Sequence, residues 1–336
     1  MRDYEIYELG DILLQSGVIL PNAILAYKTF GTLNAAKDNV IVYPTCFTGL
    51  HTDNEWLIGP GKALDPEKYF IIIPNMLGNG LSSSPSNTAP PYDRGNFPVV
   101  TIYDNVRLQH QLVTQKFGIN KIALVVGWSL GAVQTFQWGA SYPDMVRRIA
   151  PFGGTAQTRP HAQIVFASMI AALLADSAWE NGFYKQQPKA ELAAMGRVYA
   201  PWGFSQAYYL EQLYQQEGYH TLEDYLVNYW DQVFLTFDAN DLITMLRTGI
   251  SGDISANQAY NGNFELALRS ITARALVMPG STDLFFPPQD NDYEAQCMPD
   301  AIFLPIDSKW GHCAGIGQHG PDSEFIDQQL KTFLGE

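Results

Sequence analysis

The sequence predicts an α/β protein with a mostly parallel central sheet and helices on both faces of that sheet. Several short runs are almost continuously apolar, as strands buried on both faces should be: residues 40–43, 69–74, 122–126, 275–278 and 301–305. Amphipathic stretches lie between or after these runs, at 105–117, 131–141 and 323–333. Strand and helix patterns that alternate along a chain are typical of parallel sheets.

The pattern changes in the middle of the chain. Between residues 155 and 268 there is no strong strand run, and helix-like stretches occur at 164–175, 205–216, 222–234 and 240–247. The strand pattern resumes near residue 275. We therefore expect one sheet domain formed by residues 1–154 and 269–336, with a helical cap (lid) subdomain of residues 155–268 inserted between two of its strands.

Composition excludes several classes of protein. The chain has 336 residues, of which 46% are hydrophobic and 16% charged, so it can bury a large core and is not a disordered chain. Its net charge of −14 would repel phosphate backbones, and no basic stripe is present. We expect no nucleic-acid partner.

The cysteines and the chain ends give further expectations. Cys46, Cys297 and Cys313 have no C-x-x-C spacing, so neither a disulfide framework nor a zinc site is expected. The first residues lack the pattern of a secretory signal, and no apolar run reaches the ~18 residues of a membrane span. Gly59-Pro60-Gly61 lacks the spacing of a phosphate-binding loop. We expect a soluble cytoplasmic protein without metal, cofactor or membrane partner.

The most specific motif is G-x-S-x-G at residues 127–131, where Ser129 follows a predicted strand and precedes a predicted helix. A sharp strand–turn–helix elbow exposes the serine oxygen above the sheet edge, and the helix N-terminus stabilises negative charge there. The motif therefore predicts a nucleophilic serine on an α/β-hydrolase fold. The alternative is a tight turn in which the serine only caps the helix.

A nucleophilic serine needs a histidine base and an acid, which in this fold follow in the order Ser, Asp, His. His312 lies in a glycine-rich loop after the last predicted strand, whereas His319 is expected on the surface. Asp283 comes just after the strand at 275–278, and it would orient the imidazole. Asp283 could instead form a simple turn at the strand end. Asp307 is the reserve acid, although it is close to the histidine loop.

The oxyanion of an acyl-transfer reaction needs two backbone N–H donors. One is expected from Leu130, the residue after the nucleophile, and the other from Phe47 in the loop after the strand at 40–43. That loop could also be a plain turn. Nearby His51 either lines the site or shapes this loop. Cys46 and Cys313, also predicted near the site, are expected to be small packing residues.

In combination, several segments resemble the homoserine O-acetyltransferase family of α/β-hydrolases. They are residues 47–49 (FTG), 57–65 (LIGPGKALD), 69–78, 134–144, 237–240 (FDAN) and 283–288 (DLFFPP). The resemblance covers about residues 40–315. It implies a triad of Ser129, Asp283 and His312, an acyl group carried on the serine, and a possible homodimer.

The departures from that family concern the acceptor. The resemblance implies two cap arginines that hold an amino-acid carboxylate, but this chain has Thr236 and Ala171 at those positions. Neither residue can form a bidentate clamp on a carboxylate. Arg107 and Arg247 remain as other cations. Residues 78–87 (GNGLSSSPSN) and 241–253 resemble the esterase branch instead, without an evident chemical reason.

The sequence therefore predicts a serine hydrolase (an esterase) that acts on a small, largely uncharged acyl ester. Trp128, Thr48 and Thr236 are the candidate substrate-binding residues. Homoserine acetylation with acetyl-CoA is the alternative, and a non-catalytic ligand-binding protein on the same fold is a rival from another class.

Overall fold

The computed structural model describes residues 2–175 and 177–335 and contains one eight-stranded sheet. The spatial order of the strands is β1-β2-β4-β3-β5-β6-β7-β8. β1 pairs antiparallel with β2 and β2 antiparallel with β4, whereas every other neighbouring pair is parallel. The strands are β1 (Glu5–Leu13), β2 (Ile19–Phe30), β3 (Val40–Val42), β4 (Phe70–Pro74), β5 (Leu124–Trp128), β6 (Arg148–Phe152), β7 (Arg274–Val277) and β8 (Ala301–Phe303).

The central strands are buried on both faces, which explains their continuous hydrophobicity. All residues of β3 and β4 are buried. Val40 and Val42 of β3 belong to one apolar cluster, while Ile41 belongs to another. Since successive side chains of a strand point to opposite faces, the two clusters are the two sides of one sheet. The predicted α/β class with a mostly parallel sheet is confirmed.

Helices cover both clusters. The helices are α1 (Ile102–Gln111), α2 (Leu130–Ser141), α3 (Pro160–Leu173), α4 (Lys189–Gly203), α5 (Gln206–Leu210), α6 (Leu222–Tyr225), α7 (Asp231–Val233), α8 (Ala239–Ile250), α9 (Phe264–Arg269), α10 (Pro288–Cys297) and α11 (Gly320–Gly335). Trp138 of α2 packs into the cluster on one face of the sheet, and Phe333 of α11 packs into the cluster on the other. In the described residues, no helix is both long enough and apolar enough to cross a membrane.

In the sequence, helices α3 to α9 all lie between β6 and β7. A third apolar cluster joins Phe166 of α3, Met195 of α4 and Leu246 of α8 to Leu130 and Val133 of the helix after Ser129. Helix α9 differs, because its Ala267 and Leu268 pack into a cluster of the sheet. The arrangement suits a cap over the serine, and the limits 155–268 stay a prediction.

The buried carboxyl of Glu294, on α10, forms hydrogen bonds with the segment that follows β6. Glu294 accepts hydrogen bonds from the hydroxyl of Thr155 (2.5 Å), the amide of Ala156 (2.9 Å) and the side-chain amide of Asn291 (2.8 Å). Asn291 also donates to the carbonyl of Gly154 at 2.8 Å. Despite these donors, burial raises the pKa of Glu294 to about 7.

That raised pKa predicts a pH-dependent loss of stability. Folded Glu294 keeps its proton to a higher pH than the unfolded chain, where its pKa is near 4.5. The stability that this carboxyl contributes is therefore complete below about pH 4.5 and is lost as the pH rises towards 7, by up to about 3 kcal/mol. The glutamine side chain in Glu294→Gln does not titrate. The free energy of unfolding, measured with urea, should therefore decrease less between pH 5 and pH 8 in this variant than in the wild type. Glu265→Gln, at an exposed glutamate, should keep the wild-type slope. Equal slopes for all three proteins would contradict the prediction.

Candidate active site

Ser129 stands on a strained elbow between β5 and α2. Its backbone has φ 55° and ψ −124°, an uncommon conformation for a residue with a side chain. The two flanking glycines permit it. A Cβ on Gly127 would lie 2.3 Å from the carbonyl oxygen of Gly131, and one on Gly131 would lie 2.7 Å from that of Pro44. The two glycines of the G-x-S-x-G pattern are thus explained by close backbone contacts, which leave room for a hydrogen atom but not for a Cβ.

The structure brings His312 to this serine. His312 lies in a 3-10 turn, Gly311–Gly315, after β8, and it is buried. Its Nε2 is 2.9 Å from the Oγ of Ser129. His319, the other histidine near the C-terminal end, stacks on Trp310 with ring centroids 4.8 Å apart, and its Nδ1 is 2.9 Å from Asp322. The geometry therefore selects His312 as the partner of Ser129.

Asp283 completes the row of hydrogen bonds. Its Oδ2 is 2.9 Å from Nδ1 of His312, and its Oδ1 accepts the amides of Phe285 (2.7 Å) and Phe286 (3.0 Å). These two amides fix the carboxylate, which favours the tautomer with a proton on Nδ1 and a free lone pair on Nε2. Asp307, the reserve acid, is exposed and lies 3.5 Å from the hydroxyl of Ser281.

Both predicted oxyanion donors have a free amide. Leu130 is the first residue of α2, where an N–H has no partner within the helix. Phe47 lies in a turn that is closed by a bond from the amide of Gly49 to the carbonyl of Cys46 (3.1 Å). Within residues 2–175 and 177–335, neither the amide of Leu130 nor that of Phe47 donates to a protein acceptor. Two free donors beside Ser129 suit an oxyanion hole.

A cavity of about 440 Å³ opens at Ser129. The predicted residues Phe47, Thr48, Trp128 and Thr236 all line it. The cap and the histidine loop contribute further lining residues, all of which except Cys313 are aromatic or aliphatic: Tyr199, Tyr229, Trp230, Val233, Phe234, Phe237, Cys313 and Ile316. A ligand beside the serine would therefore be surrounded mainly by apolar groups.

Several of these lining residues were not predicted from the sequence. Tyr199 lies on α4, a helix that interior glycines and Pro201 conceal in the sequence pattern. Its ring contacts Phe47 (centroids 6.4 Å apart) and Phe285 (6.0 Å). Phe285 in turn stacks on His312 with centroids 5.1 Å apart. Two segments singled out in the sequence, FDAN and DLFFPP, contribute residues near Tyr199. The position of α4 beside them is evident only in the folded chain.

Cationic side chains are missing from the described lining of the cavity, which contains neither lysine nor arginine. Thr236 lines the cavity, whereas Ala171 is an exposed residue of α3 outside it. Arg107 instead donates to the carbonyl of Leu13 at 2.5 Å, and Arg247 is exposed on α8. Asp53 is the one carboxylate among the described lining residues, and it accepts the amide of Leu50 at 2.8 Å.

The two cysteines of the cavity are weak nucleophiles. Burial raises the pKa of Cys46 to about 12 and raises that of Cys313 well above its ordinary value. Both thiols therefore stay protonated near neutral pH, and the thiolate is the reactive form. This agrees with the expectation that they are packing residues.

A possible metal site near the N-terminus is already neutralised by a lysine. The side-chain ligand atoms of Asp3, His51 and Glu55 lie within 4.8 Å of one another. The Nζ of Lys28 is 2.9 Å from Asp3 and 2.8 Å from Glu55. This ammonium group supplies the positive charge that a metal ion would otherwise bring.

Trp128 contacts His312 as well as the cavity. Its indole N–H donates to the carbonyl of His312 at 3.1 Å, and the two rings lie 5.0 Å apart. A Cβ on Gly315 would lie 2.3 Å from the indole, so the ring fills the space that this glycine leaves. Trp128 is thus placed to hold the histidine loop, a role beyond the substrate contact predicted from the sequence.

Trp128→Phe is expected to lower kcat more than it raises KM. The variant keeps a ring in the cavity but leaves the carbonyl of His312 without its donor. Because displacement of a reacting group by ~1 Å can cost about 10²-fold, we expect a decrease in kcat of about tenfold. Steady-state kinetics with p-nitrophenyl acetate would measure it. Trp56→Phe, at another indole of the cavity wall, is the matched control and should keep its kcat. A higher KM with unchanged kcat in Trp128→Phe would show a substrate contact only.

Comparison with known proteins agrees with this fold. A sequence profile described as the alpha/beta hydrolase fold matches residues 39–317. The chain belongs to the alpha/beta hydrolase family.

Individual relatives show which members of the family the chain resembles. The chain is 36% identical to an ethyl acetate hydrolase of Pseudomonas veronii, over 99% of this chain and 95% of that protein. The solved structure of the acetyl esterase MekB matches with a TM-score of 0.96 and 35% identity, covering 99% of this chain and 97% of that one. A homoserine O-acetyltransferase of Trichormus variabilis is 33% identical over 95% and 93% of the two chains. The predicted resemblance to this family, closer to its esterase branch, is confirmed.

Proposed function

We propose that this chain hydrolyses small, largely uncharged acyl esters through an acyl intermediate on Ser129. The observation that carries the proposal is a mainly apolar cavity, without lysine or arginine in its described lining, that opens at a serine hydrogen-bonded to a histidine. An amino-acid carboxylate or the phosphates of acetyl-CoA would find no counter-charge there. The names of the esterase relatives support the same substrate class.

The reaction follows from the row of hydrogen bonds. Ser129 Oγ attacks the ester carbonyl while its proton passes to Nε2 of His312. The amides of Phe47 and Leu130 stabilise the oxyanion, and each such donor contributes about 3 kcal/mol. The intermediate then collapses, and the leaving alcohol takes the proton from Nε2. This step leaves the acyl group bonded to Ser129.

Water completes the cycle. His312 removes a proton from a water molecule, and the resulting hydroxide attacks the acyl carbonyl. The second oxyanion collapses, Ser129 regains its proton from Nε2, and the carboxylic acid leaves. Asp283 stabilises the imidazolium that forms twice in each cycle.

Acyl transfer to an alcohol is the second candidate, because a homoserine O-acetyltransferase is among the relatives. It would use the same acyl-serine, with acetyl-CoA as donor and an alcohol in place of water. Thr236, which lines the cavity at a position implied for an arginine, argues against homoserine as that alcohol. The expectation that Ala171 replaces a second substrate-facing arginine was wrong, because Ala171 is exposed on α3 outside the cavity. A homodimer, also implied by the resemblance, stays a prediction.

A substrate comparison separates these functions. The protein is incubated with ethyl acetate or p-nitrophenyl acetate, and acid release is followed by titration. Parallel reactions contain acetyl-CoA and homoserine. We expect acid release to exceed O-acetylation of homoserine by a large factor. Homoserine acetylation that outpaces hydrolysis would favour the transferase, and no turnover of either kind would favour a non-catalytic binding protein.

A further inference from the structure

The segment of residues 78–87 (GNGLSSSPSN) had no chemical explanation in the sequence. In the structure it follows β4 and contacts the turn at Cys46 to Gly49, which carries the Phe47 amide. The side-chain amide of Asn79 donates to the carbonyl of Gly49 (3.2 Å) and to Oδ1 of Asn75 (3.1 Å). That same Oδ1 accepts the amide of His51 at 3.0 Å. Two buried asparagines therefore hold both ends of the short stretch from Gly49 to His51.

The turn needs such support because one of its residues is strained. Thr48 has φ 62°, in the left-handed region that is costly for a residue with a branched side chain. Its hydroxyl donates to the carbonyl of Phe47 at 2.5 Å. A backbone in this conformation persists only where its surroundings hold it. Asn79 holds the residue that follows Thr48, because its side-chain amide donates to the carbonyl of Gly49.

The other end of the segment is anchored on α8. The carboxylate of Asp241 accepts the amide of Ser86 (3.0 Å) and its hydroxyl (2.6 Å). Between the two ends, the side-chain amide of Asn87 donates to the carbonyls of Gly80 (3.0 Å) and Ser82 (2.9 Å). Hydrogen bonds therefore link the segment to α8 at one end and to the turn at Phe47 at the other, and further bonds stabilise it internally.

The two ends of the Asn79 side chain serve different parts of the chain. Its Oδ1 accepts the amides of Leu81 (3.1 Å) and Ser82 (3.4 Å), which shapes its own segment. Its Nδ2 alone reaches the turn beside Ser129. A substitution that keeps the oxygen and removes the donor would therefore separate the two effects.

We propose that Asn79 is a positioning residue for the oxyanion hole, acting through the carbonyl of Gly49 to fix the Phe47 amide. The proposal rests on the proposed function, since it assumes that Phe47 stabilises an oxyanion formed at Ser129. It also gives the GNGLS pattern a physical reason: the asparagine holds the turn opposite the nucleophile.

Asn79→Asp and Asn79→Ala test the proposal, with Asn87→Ala as the matched control that breaks bonds within the same segment only. Loss of a whole oxyanion donor costs about 10²–10³-fold, so a donor that is present but poorly aimed should lower kcat by about 10–100-fold, with KM within about twofold. A trifluoromethyl ketone, which forms a charged adduct with serine, should bind more weakly by a similar factor. Asn87→Ala should retain the wild-type kcat and inhibitor affinity.

Failure of the proposed function and failure of the inference about Asn79 give different results. If Ser129→Ala retains hydrolysis, the proposed function falls and this inference falls with it. If Ser129→Ala is inactive but both Asn79 variants keep wild-type kcat and ketone affinity, the inference alone is wrong. A loss that appears equally in Asn87→Ala would also overturn it, because the effect would then come from the segment as a whole. Should Asn79→Ala fail to fold, Asn79→Asp retains the bonds within the segment and decides the question.

Discussion

Ser129→Ala is expected to reduce kcat for ester hydrolysis by a factor on the order of 10⁶, the loss typical when a triad nucleophile is removed. The variant lacks the only atom that lies within hydrogen-bond distance of Nε2 of His312, at 2.9 Å, in the described residues. The two cysteines of the cavity cannot replace it, since burial keeps their thiols protonated. The measurement is the initial rate of p-nitrophenyl acetate hydrolysis over the uncatalysed rate.

The matched control is Ser141→Ala, a serine at the other end of α2 whose hydroxyl accepts from Gln137 at 2.8 Å. It should retain the wild-type rate, which shows that loss of a serine from this helix is not itself damaging. Substantial hydrolysis by the Ser129 variant would contradict the account, because the proposed reaction cannot begin without that oxygen.

Asp283→Asn is expected to lower kcat by a factor on the order of 10⁴ with little change in KM. The amides of Phe285 and Phe286 require an acceptor, so the asparagine oxygen should remain on them. Its NH₂ group would then face Nδ1 of His312. A donor in that place favours the tautomer with a proton on Nε2, which cannot accept the proton of Ser129.

Asp307→Asn is the control for this second result. Asp307 is the other acid that the sequence allowed, and it lies exposed after β8. Its variant should hydrolyse p-nitrophenyl acetate at the wild-type rate. The assignment would be contradicted if Asp283→Asn retained activity, or if Asp307→Asn lost as much activity as Asp283→Asn.

The sequence predicted those parts of the molecule that depend on local patterns. The central strands β3, β4 and β5 are continuous apolar runs, and the elbow at Ser129 is a short motif. The order Ser, Asp, His then limited the choice of Asp283 and His312 to a few residues. Each prediction required only that a strand end at the right place.

Elements that depend on distant pairing were missed. β1 and β2 were not predicted. β1 is the edge strand and β2 lies between it and β4, both strands mix polar and apolar residues, and they pair with register shifts near Gly10. Helix α4 was missed because Gly196, Pro201 and Gly203 interrupt its pattern. The link from Asn79 to Gly49 spans 30 residues and depends on the folded turn. No periodicity in a single sequence reveals such a contact.

The central claim is that Ser129 carries the acyl group, and labelling of the native protein tests it most directly. The protein is treated with diethyl p-nitrophenyl phosphate, which bonds irreversibly to an activated serine. The modified protein is digested, and the labelled peptide is located by mass spectrometry. We expect one label per chain, on Ser129, with loss of hydrolysis in proportion to labelling. Full activity in the labelled protein, or loss of activity with the label on another residue, would contradict the account.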